Sequence, residues 1–193
     1  MIAFLKGAFV KKTPSVVLVD VAGVGYEVQI TLNTYSRIQD AESGLLLTHL
    51  LVREDAHILF GFSEVAEKEM FLQLISVSGV GASTARIMLS YMKPDELSRA
   101  IIQGNAPQLE RIKGIGKKTA ERIVLELRDK LAKTPVDSNI SPWKGNSLQT
   151  DALNALIALG INRMAADGAI QKVLEQNPEL GVEALIKKAL QTL

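Results

Sequence analysis

The sequence predicts an α+β protein of several domains: a small N-terminal β-barrel of the OB-fold type, a central all-α domain, and a C-terminal domain of three helices. Three observations carry that expectation. Apolar residues come in short strand-like runs up to Phe62 and at helical spacing from Glu64 onward. A stretch rich in Pro, Ser, Asn and Gly separates the last helices from the rest. The middle of the chain also repeats itself at an offset of 35 positions, Gly79 falling on Gly114 and Gly81 on Gly116.

Residues 1–63 read as the barrel. Ile2–Lys11, Ser15–Val21, Val24–Ile30, Leu45–Arg53 and His57–Phe62 are rich in Val, Leu, Ile and Phe, with breaks at Thr13-Pro14, Gly23, Asn33 and Ser43-Gly44. Apolar residues nearly run together over Ser15–Val28, the pattern of a strand buried on two sides. Five strands with a short connecting piece around Thr34–Ala41 suit a closed barrel, which leaves few exposed edges.

Residues 64–132 read as helices over Glu67–Val77, Ala82–Tyr91, Pro94–Gly104, Ala106–Ile112 and Lys117–Leu131. Acids fall in the first turn of the first helix, and Pro94 and Pro107 stand where a missing N–H costs nothing. Residues 133–149 read as a flexible linker, whose Trp143 is the sole tryptophan and a candidate anchor for a partner. Residues 150–193 hold helices at Asp151–Leu159, Arg163–Gln176 and Gly181–Leu193, broken at Gly160 and Asn177-Pro178.

Composition removes several functions. With no cysteine there are no disulfides, thiolate metal sites, iron–sulfur clusters or cysteine nucleophiles. The two histidines, His49 and His57, both lie in strand-like sequence, which disfavours a zinc site, and no cofactor is expected. Ile2–Val10 is interrupted by Lys6 and Gly7, too short and polar for a signal peptide or span, so a soluble cytoplasmic protein is expected. Net charge is only +1, yet Arg111 to Arg122 holds five basic residues and one acid. The positive charge is local, as a defined phosphate site requires.

The internal repeat gives that charge a setting. Leu74, Gly79, Gly81, Thr84 and Ala85 fall on Leu109, Gly114, Gly116, Thr119 and Ala120, and Val77, Val80 and Met88 fall on Ile112, Ile115 and Ile123. Each copy is an apolar helix end, a Gly-apolar-Gly turn and a new helix. Glycine permits positive φ and lets a phosphate approach bare backbone. Val80 or Ile115 plugs the core, and the unpaired N–H groups opening the next helix attract an anion. Lys117 and Lys118 open the second of these helices, where cations disfavour the helix itself unless an anion offsets them. The candidate phosphate-binding residues are therefore Gly79, Val80, Gly81, Ser83, Thr84 and Arg86 in the first copy. In the second they are Gly114, Ile115, Gly116, Lys117, Lys118, Thr119 and Arg122. Neither copy completes G-x-G-x-x-G, and a Walker A loop with Gly116 as its second glycine would need glycine where Arg111 stands.

This repeat is similar to the tandem helix-hairpin-helix motif. With Gly23, Val24, Gly25, Tyr26, Glu27 and Val28 in the barrel, Val52, Arg53, Glu54, Asp55 and Ala56 between its last strands, and Gly114 through Arg122, the whole chain resembles the RuvA family of bacterial Holliday-junction binding proteins. The resemblance implies a non-catalytic, structure-selective scaffold for four-way DNA junctions, acting in recombination and repair, as a homotetramer or octamer. It implies that a three-helix (UBA-like) tail recruits the RuvB ATPase, which uses the ATP and magnesium for branch migration, with the RuvC resolvase as a further partner. It places an acidic pin at Glu54 and Asp55, four copies of which would repel phosphates at the crossover. Leu156, Leu159, Ile161 and Leu190 are then candidate motor contacts. Two departures stand out: Ala82-Ser83 where many relatives carry Pro-Lys, which leaves the first hairpin to backbone N–H groups with Ser83 or Thr84, and to Arg86 as a substitute cation where its helical phase allows; and Ile161 where an aromatic is common.

The alternative is a junction-cleaving nuclease or another helix-hairpin-helix repair enzyme. A nuclease needs converging carboxylates for metal ions, and Glu54-Asp55 is a single adjacent pair. A glycosylase needs an acid and a base-flipping pocket, which nothing nominates. A plain protein–protein adaptor leaves the basic hairpin unexplained.

Overall fold

A computed structural model describes residues 1–132, 148–177 and 180–192, so Trp143 lies outside the described residues. The chain divides into two compact units near residue 138.

In the first unit, β1 (Phe4–Lys12), β2 (Val16–Val21), β3 (Val24–Ile30), β4 (Ser43–Val52) and β5 (His57–Phe62) close into a barrel in the order β1-β2-β3-β5-β4. All neighbours run antiparallel except β3 and β5, where Val28 pairs with Leu59 and Ile30 with Gly61. Closure removes free sheet edges, as the turn punctuation foretold. Leu5, Phe9, Val17, Val19, Val28, Ile30, Leu46 and Leu59 point inward and fill the barrel with Ile38.

Two expectations are corrected here. The run through β2 is not buried on two sides: Val17 and Val19 are inaccessible, while Val16, Leu18 and Asp20 between them stay half-exposed. A barrel this small has only one interior, so the outward β-branched residues serve strand propensity. The piece after β3 is a helix, α1 (Leu32–Ile38), rather than a mere connection. Thr31 caps it by accepting from the Thr34 N–H at 3.0 Å. Lys12 Nζ donates to the carbonyls of Gln39 at 2.7 Å and Ala41 at 2.6 Å, placing a cation at the negative end of the helix.

Helices α2 (Val65–Ile75), α3 (Ala82–Tyr91), α4 (Pro94–Ile102), α5 (Ala106–Glu110) and α6 (Lys117–Ala132) form the helical layer. Its core runs from Met70 and Phe71 through Leu89, Leu97 and Ile101 to Ile123, Leu127 and Leu131, and it includes Phe60 and Phe62 of β5. Phe71 sits 5.2 Å from the Phe60 ring and 4.9 Å from that of Phe62, so two rings of the barrel's last strand pack into the core of the helical layer. Such ring pairs add about 0.5–1.5 kcal/mol each beyond burial.

Polar groups tie the same seam. Glu67 is only 2 % exposed and accepts from both Thr31 Oγ1 and, at 2.6 Å, Thr34 Oγ1. Each hydroxyl is itself an acceptor, Thr31 from the Thr34 N–H and Thr34 from the Ser63 N–H, so each proton is committed to the carboxylate. Burial pushes the Glu67 carboxyl above its ordinary range, opposed by these two hydrogen bonds. Asn33 Nδ2 donates to the Leu89 carbonyl, and Arg37 pairs with Glu64 at 2.7 Å.

The second unit contains α7 (Leu148–Ala158), α8 (Arg163–Gln176) and α9 (Val182–Thr192). Ala152, Leu156, Ala166, Ala169, Ile170, Val173, Leu185 and Ala189 form its core. Four of these eight are alanine, which brings the helices close with little bulk.

Candidate nucleic-acid interface

Both Gly-apolar-Gly turns are built alike. The Val80 N–H donates to the Val77 carbonyl at 3.0 Å, as the Ile115 N–H does to that of Ile112 at 3.0 Å. The next helix starts at once, with the Ala85 N–H donating to the Gly81 carbonyl and the Ala120 N–H to that of Gly116, both at 2.9 Å. Val80 and Ile115 are each 5 % exposed and anchor their turns in the helical core. The equality of two segments 35 residues apart in sequence thus extends to hydrogen bonds and burial.

The two glycines of each turn differ in kind. Gly79 has φ +89° and Gly114 φ +92°, conformations that oppose any side chain. Gly81 has φ −82° and ψ 163°, which any residue adopts, and a Cβ built on it would meet nothing within 4 Å. Gly116 likewise has no positive φ and nothing near an added Cβ. The fold itself does not demand glycine at these second positions. What these positions leave bare is the start of α3 and α6, where the first N–H groups of a helix lack intrahelical partners.

Charge is distributed unequally. Arg111, Lys113, Lys117, Lys118 and Arg122 are all exposed at the second hairpin. No ion pair engages Lys117 or Lys118 among the described residues. Thr119 is half-buried. In the first hairpin Ser83 is exposed and Thr84 half-buried, and the first turn of α3 carries no charge.

Arg86 reaches to the barrel. Its Nη1 donates to the Ser15 carbonyl on the barrel at 3.1 Å, and partial burial there lowers its pKa from the usual arginine value. The phase of α3 turns it toward the barrel, where it is half-buried. Arg122 on α6 instead donates from Nη1 to the Ser78 carbonyl at 3.2 Å, immediately before Gly79.

Glu54 and Asp55 form the exposed tip of the β4–β5 hairpin, closed by the Arg53 N–H donating to the Ala56 carbonyl at 2.8 Å. His49 and His57 lie in β4 and β5, and among the described residues no group of three or more His, Asp or Glu could hold a metal ion. No helix among them is long and apolar enough to cross a membrane.

In the second unit the candidate contacts separate. Leu159 is 64 % and Leu190 42 % exposed, and Ile161 is half-buried against the core. Leu156 is fully buried, which corrects its nomination as a contact: its side chain is committed to packing with α8 and α9. Met164, which sequence reasoning missed, is 84 % exposed just beyond the α7–α8 turn, whose Gly160 has φ +87°. As an apolar residue near a helix start it gave no signal in the sequence that it faces outward.

The fold and this site define a class, an OB-like barrel fused to a tandem helix-hairpin-helix layer and followed by a small helical unit. Three family descriptions match in that order: the RuvA N terminal domain over residues 1–61, the SAM-like helix-hairpin-helix tandem over 71–129, and the RuvA C-terminal domain over 147–193. A protein of Christiangramia forsetii is 45 % identical over 193 residues, one of Flavobacterium psychrophilum 42 % over 193, and one of Bacteroides fragilis 40 % over 201. Each comparison covers both chains in full, and each relative bears the name Holliday junction branch migration complex subunit RuvA. The chain belongs to the RuvA family.

Proposed function

We propose that this protein binds four-way DNA junctions and serves as the non-catalytic, junction-binding subunit of a branch migration complex. The observation that carries the reading is the pair of equivalent turns whose second glycines the fold does not require, one beside an exposed cluster of five cations. Full-length similarity to proteins named for the Holliday junction supports the choice of ligand.

In this reading residues 64–132 grip backbone phosphates through Gly79, Val80, Gly81, Ser83, Thr84, Gly114, Ile115, Gly116, Lys117, Lys118, Thr119 and Arg122. The N–H groups of the turns and helix starts position the strand, and the lysines supply the charge. Such contacts recognise shape and leave base sequence unread. The barrel of residues 1–63 presents Glu54 and Asp55 as an acidic pin, which requires several copies around one axis. A homotetramer, or an octamer of two, provides them. Residues 150–193, joined by the linker 133–149, recruit the RuvB ATPase through Leu159, Ile161, Leu190 and Met164. The ATP and magnesium belong to that motor, the RuvC resolvase is a further partner, and the assembly works in the cytoplasm.

The test is the double substitution Lys117→Glu with Lys118→Glu in the full chain. Reversing two charges beside one phosphate site should reduce junction affinity by a factor of about 100 or more, on the order of 3 kcal/mol. Unchanged affinity in a folded variant would remove the second hairpin from the interface.

A further inference from the structure

The two hairpins are alike in backbone and unlike in charge. At the 35-residue offset, Ala82 and Ser83 of α3 stand where Lys117 and Lys118 stand on α6. The first turn of α3 therefore offers N–H groups and hydroxyls to an anion, with no cation of its own. Arg86, one turn on, is half-buried and donates to the Ser15 carbonyl of the barrel, whereas Arg122 is exposed.

Arg122 belongs by sequence to the second hairpin, five positions after Lys117. In space it belongs to the first. Its Nη1 donates to the Ser78 carbonyl at 3.2 Å across a separation of 44 residues. The same nitrogen lies 3.9 Å from where a Cβ on Gly79 would sit. Its Nε is 4.0 Å from Glu126, a contact at the limit of an ion pair, and its side chain remains 53 % exposed. One N–H of the guanidinium fork is thus spent on the turn. Its planar shape leaves other N–H groups for a second acceptor, which a lysine ammonium cannot match in geometry.

The arrangement has no counterpart in the second hairpin. The offset that carries Ser78 onto Lys113 carries Ile87 onto Arg122, and Ile87 has no group to donate. The asymmetry falls where it is needed: the hairpin with lysines in its own helix receives nothing, and the one without receives an arginine from its neighbour.

We propose that Arg122 is the phosphate-binding cation of the first hairpin, supplied across the tandem by the helix of the second. The assignment rests on the proposed gripping of phosphates by both hairpins. It means that the two sites are not independent, because α6 furnishes charge to both.

A charge-relocation series with the full chain tests this, using an immobile four-way junction as probe and affinity measured over a range of salt. Arg122→Ala should weaken binding on the order of tenfold, as for removal of one charge-assisted bond. It should also make the logarithmic salt dependence shallower by about 0.9 for each phosphate no longer neutralised. Adding Ser83→Lys, which copies the second hairpin at the equivalent position, should restore both affinity and salt slope. Adding Glu121→Gln returns the same unit of charge beside the second hairpin and should restore neither. Equal or better rescue by Glu121→Gln would overturn the assignment, as would unchanged affinity in Arg122→Ala. If Lys117→Glu with Lys118→Glu is also without effect, the failure lies in the reading of the hairpins; if that pair abolishes binding, it lies in Arg122 alone.

Discussion

Replacing each of the four turn glycines by alanine separates what folding needs from what DNA needs. At Gly79 and Gly114, φ of +89° and +92° places an alanine Cβ against its own backbone. The strain is about 1–2 kcal/mol, somewhat offset by the lower entropy of the unfolded chain. At roughly 2–4 °C per kcal/mol for a chain of this length, Gly79→Ala or Gly114→Ala should lower Tm by a few degrees. Gly81 and Gly116 lack positive φ and an added Cβ finds open space. At Gly81, which caps α3 with φ −82°, the loss of a favoured capping residue and the gain in unfolded-state entropy are each about 0.5–1 kcal/mol and nearly cancel. Gly81→Ala and Gly116→Ala should therefore melt within about 2–3 °C of the parent. Yet a methyl group at the phosphate site should cost tenfold or more in junction affinity, about 1.4 kcal/mol. Thermal unfolding and a junction titration on the same four variants decide the matter. Full DNA affinity in Gly81→Ala and Gly116→Ala would refute the argument that these glycines are bare to admit a ligand.

Three further outcomes follow from the same geometry. Glu67→Ala strands the Thr31 and Thr34 hydroxyls in a buried seam and should cost about 2–3 kcal/mol in denaturant unfolding. Because burial raises the folded-state pKa of Glu67, the folded chain holds that proton more tightly than the unfolded one. The wild type should therefore gain stability relative to Glu67→Ala as pH falls through that raised pKa toward the ordinary glutamate value; a difference independent of pH would contradict this. Replacing Glu54 and Asp55 by Gln and Asn should leave the barrel folded and junction affinity equal or higher, since two exposed charges that repel phosphate are gone; weaker binding would sink the acidic pin. In the C-terminal unit, Leu156→Asp should unfold the three helices, whereas Leu159→Asp and Met164→Asp should preserve circular dichroism and lose stimulation of the motor.

Sequence made the periodic parts of this protein legible. Strand and helix bounds follow from apolar spacing, and Ala82–Tyr91 and Arg163–Gln176 agree to the residue with α3 and α8. The tandem hairpin was legible because its glycines, plug residues and following alanine all repeat at one offset. Contacts between distant elements were not. Glu67 reads as a first-turn acid favoured by the helix dipole, but its partners Thr31 and Thr34 lie 36 and 33 residues away. Arg86 and Arg122 read as cations of their own hairpins, although at the 35-residue offset they fall on Glu121 and Ile87. Only the packing of α3 on the barrel and of α6 beside the first turn sends one to Ser15 and the other to Ser78. Leu156 and Leu159 look equivalent in an apolar helix, and burial divides them because the helix ends at Ala158.

The most direct test of the central claim is a titration of the purified chain against an immobile four-way junction and a linear duplex of the same total sequence, across increasing salt. The junction should be bound at least tenfold more tightly than the duplex, both affinities should fall steeply with salt, and preference for the junction should persist. Equal affinity for the two DNAs at every salt concentration would contradict the claim.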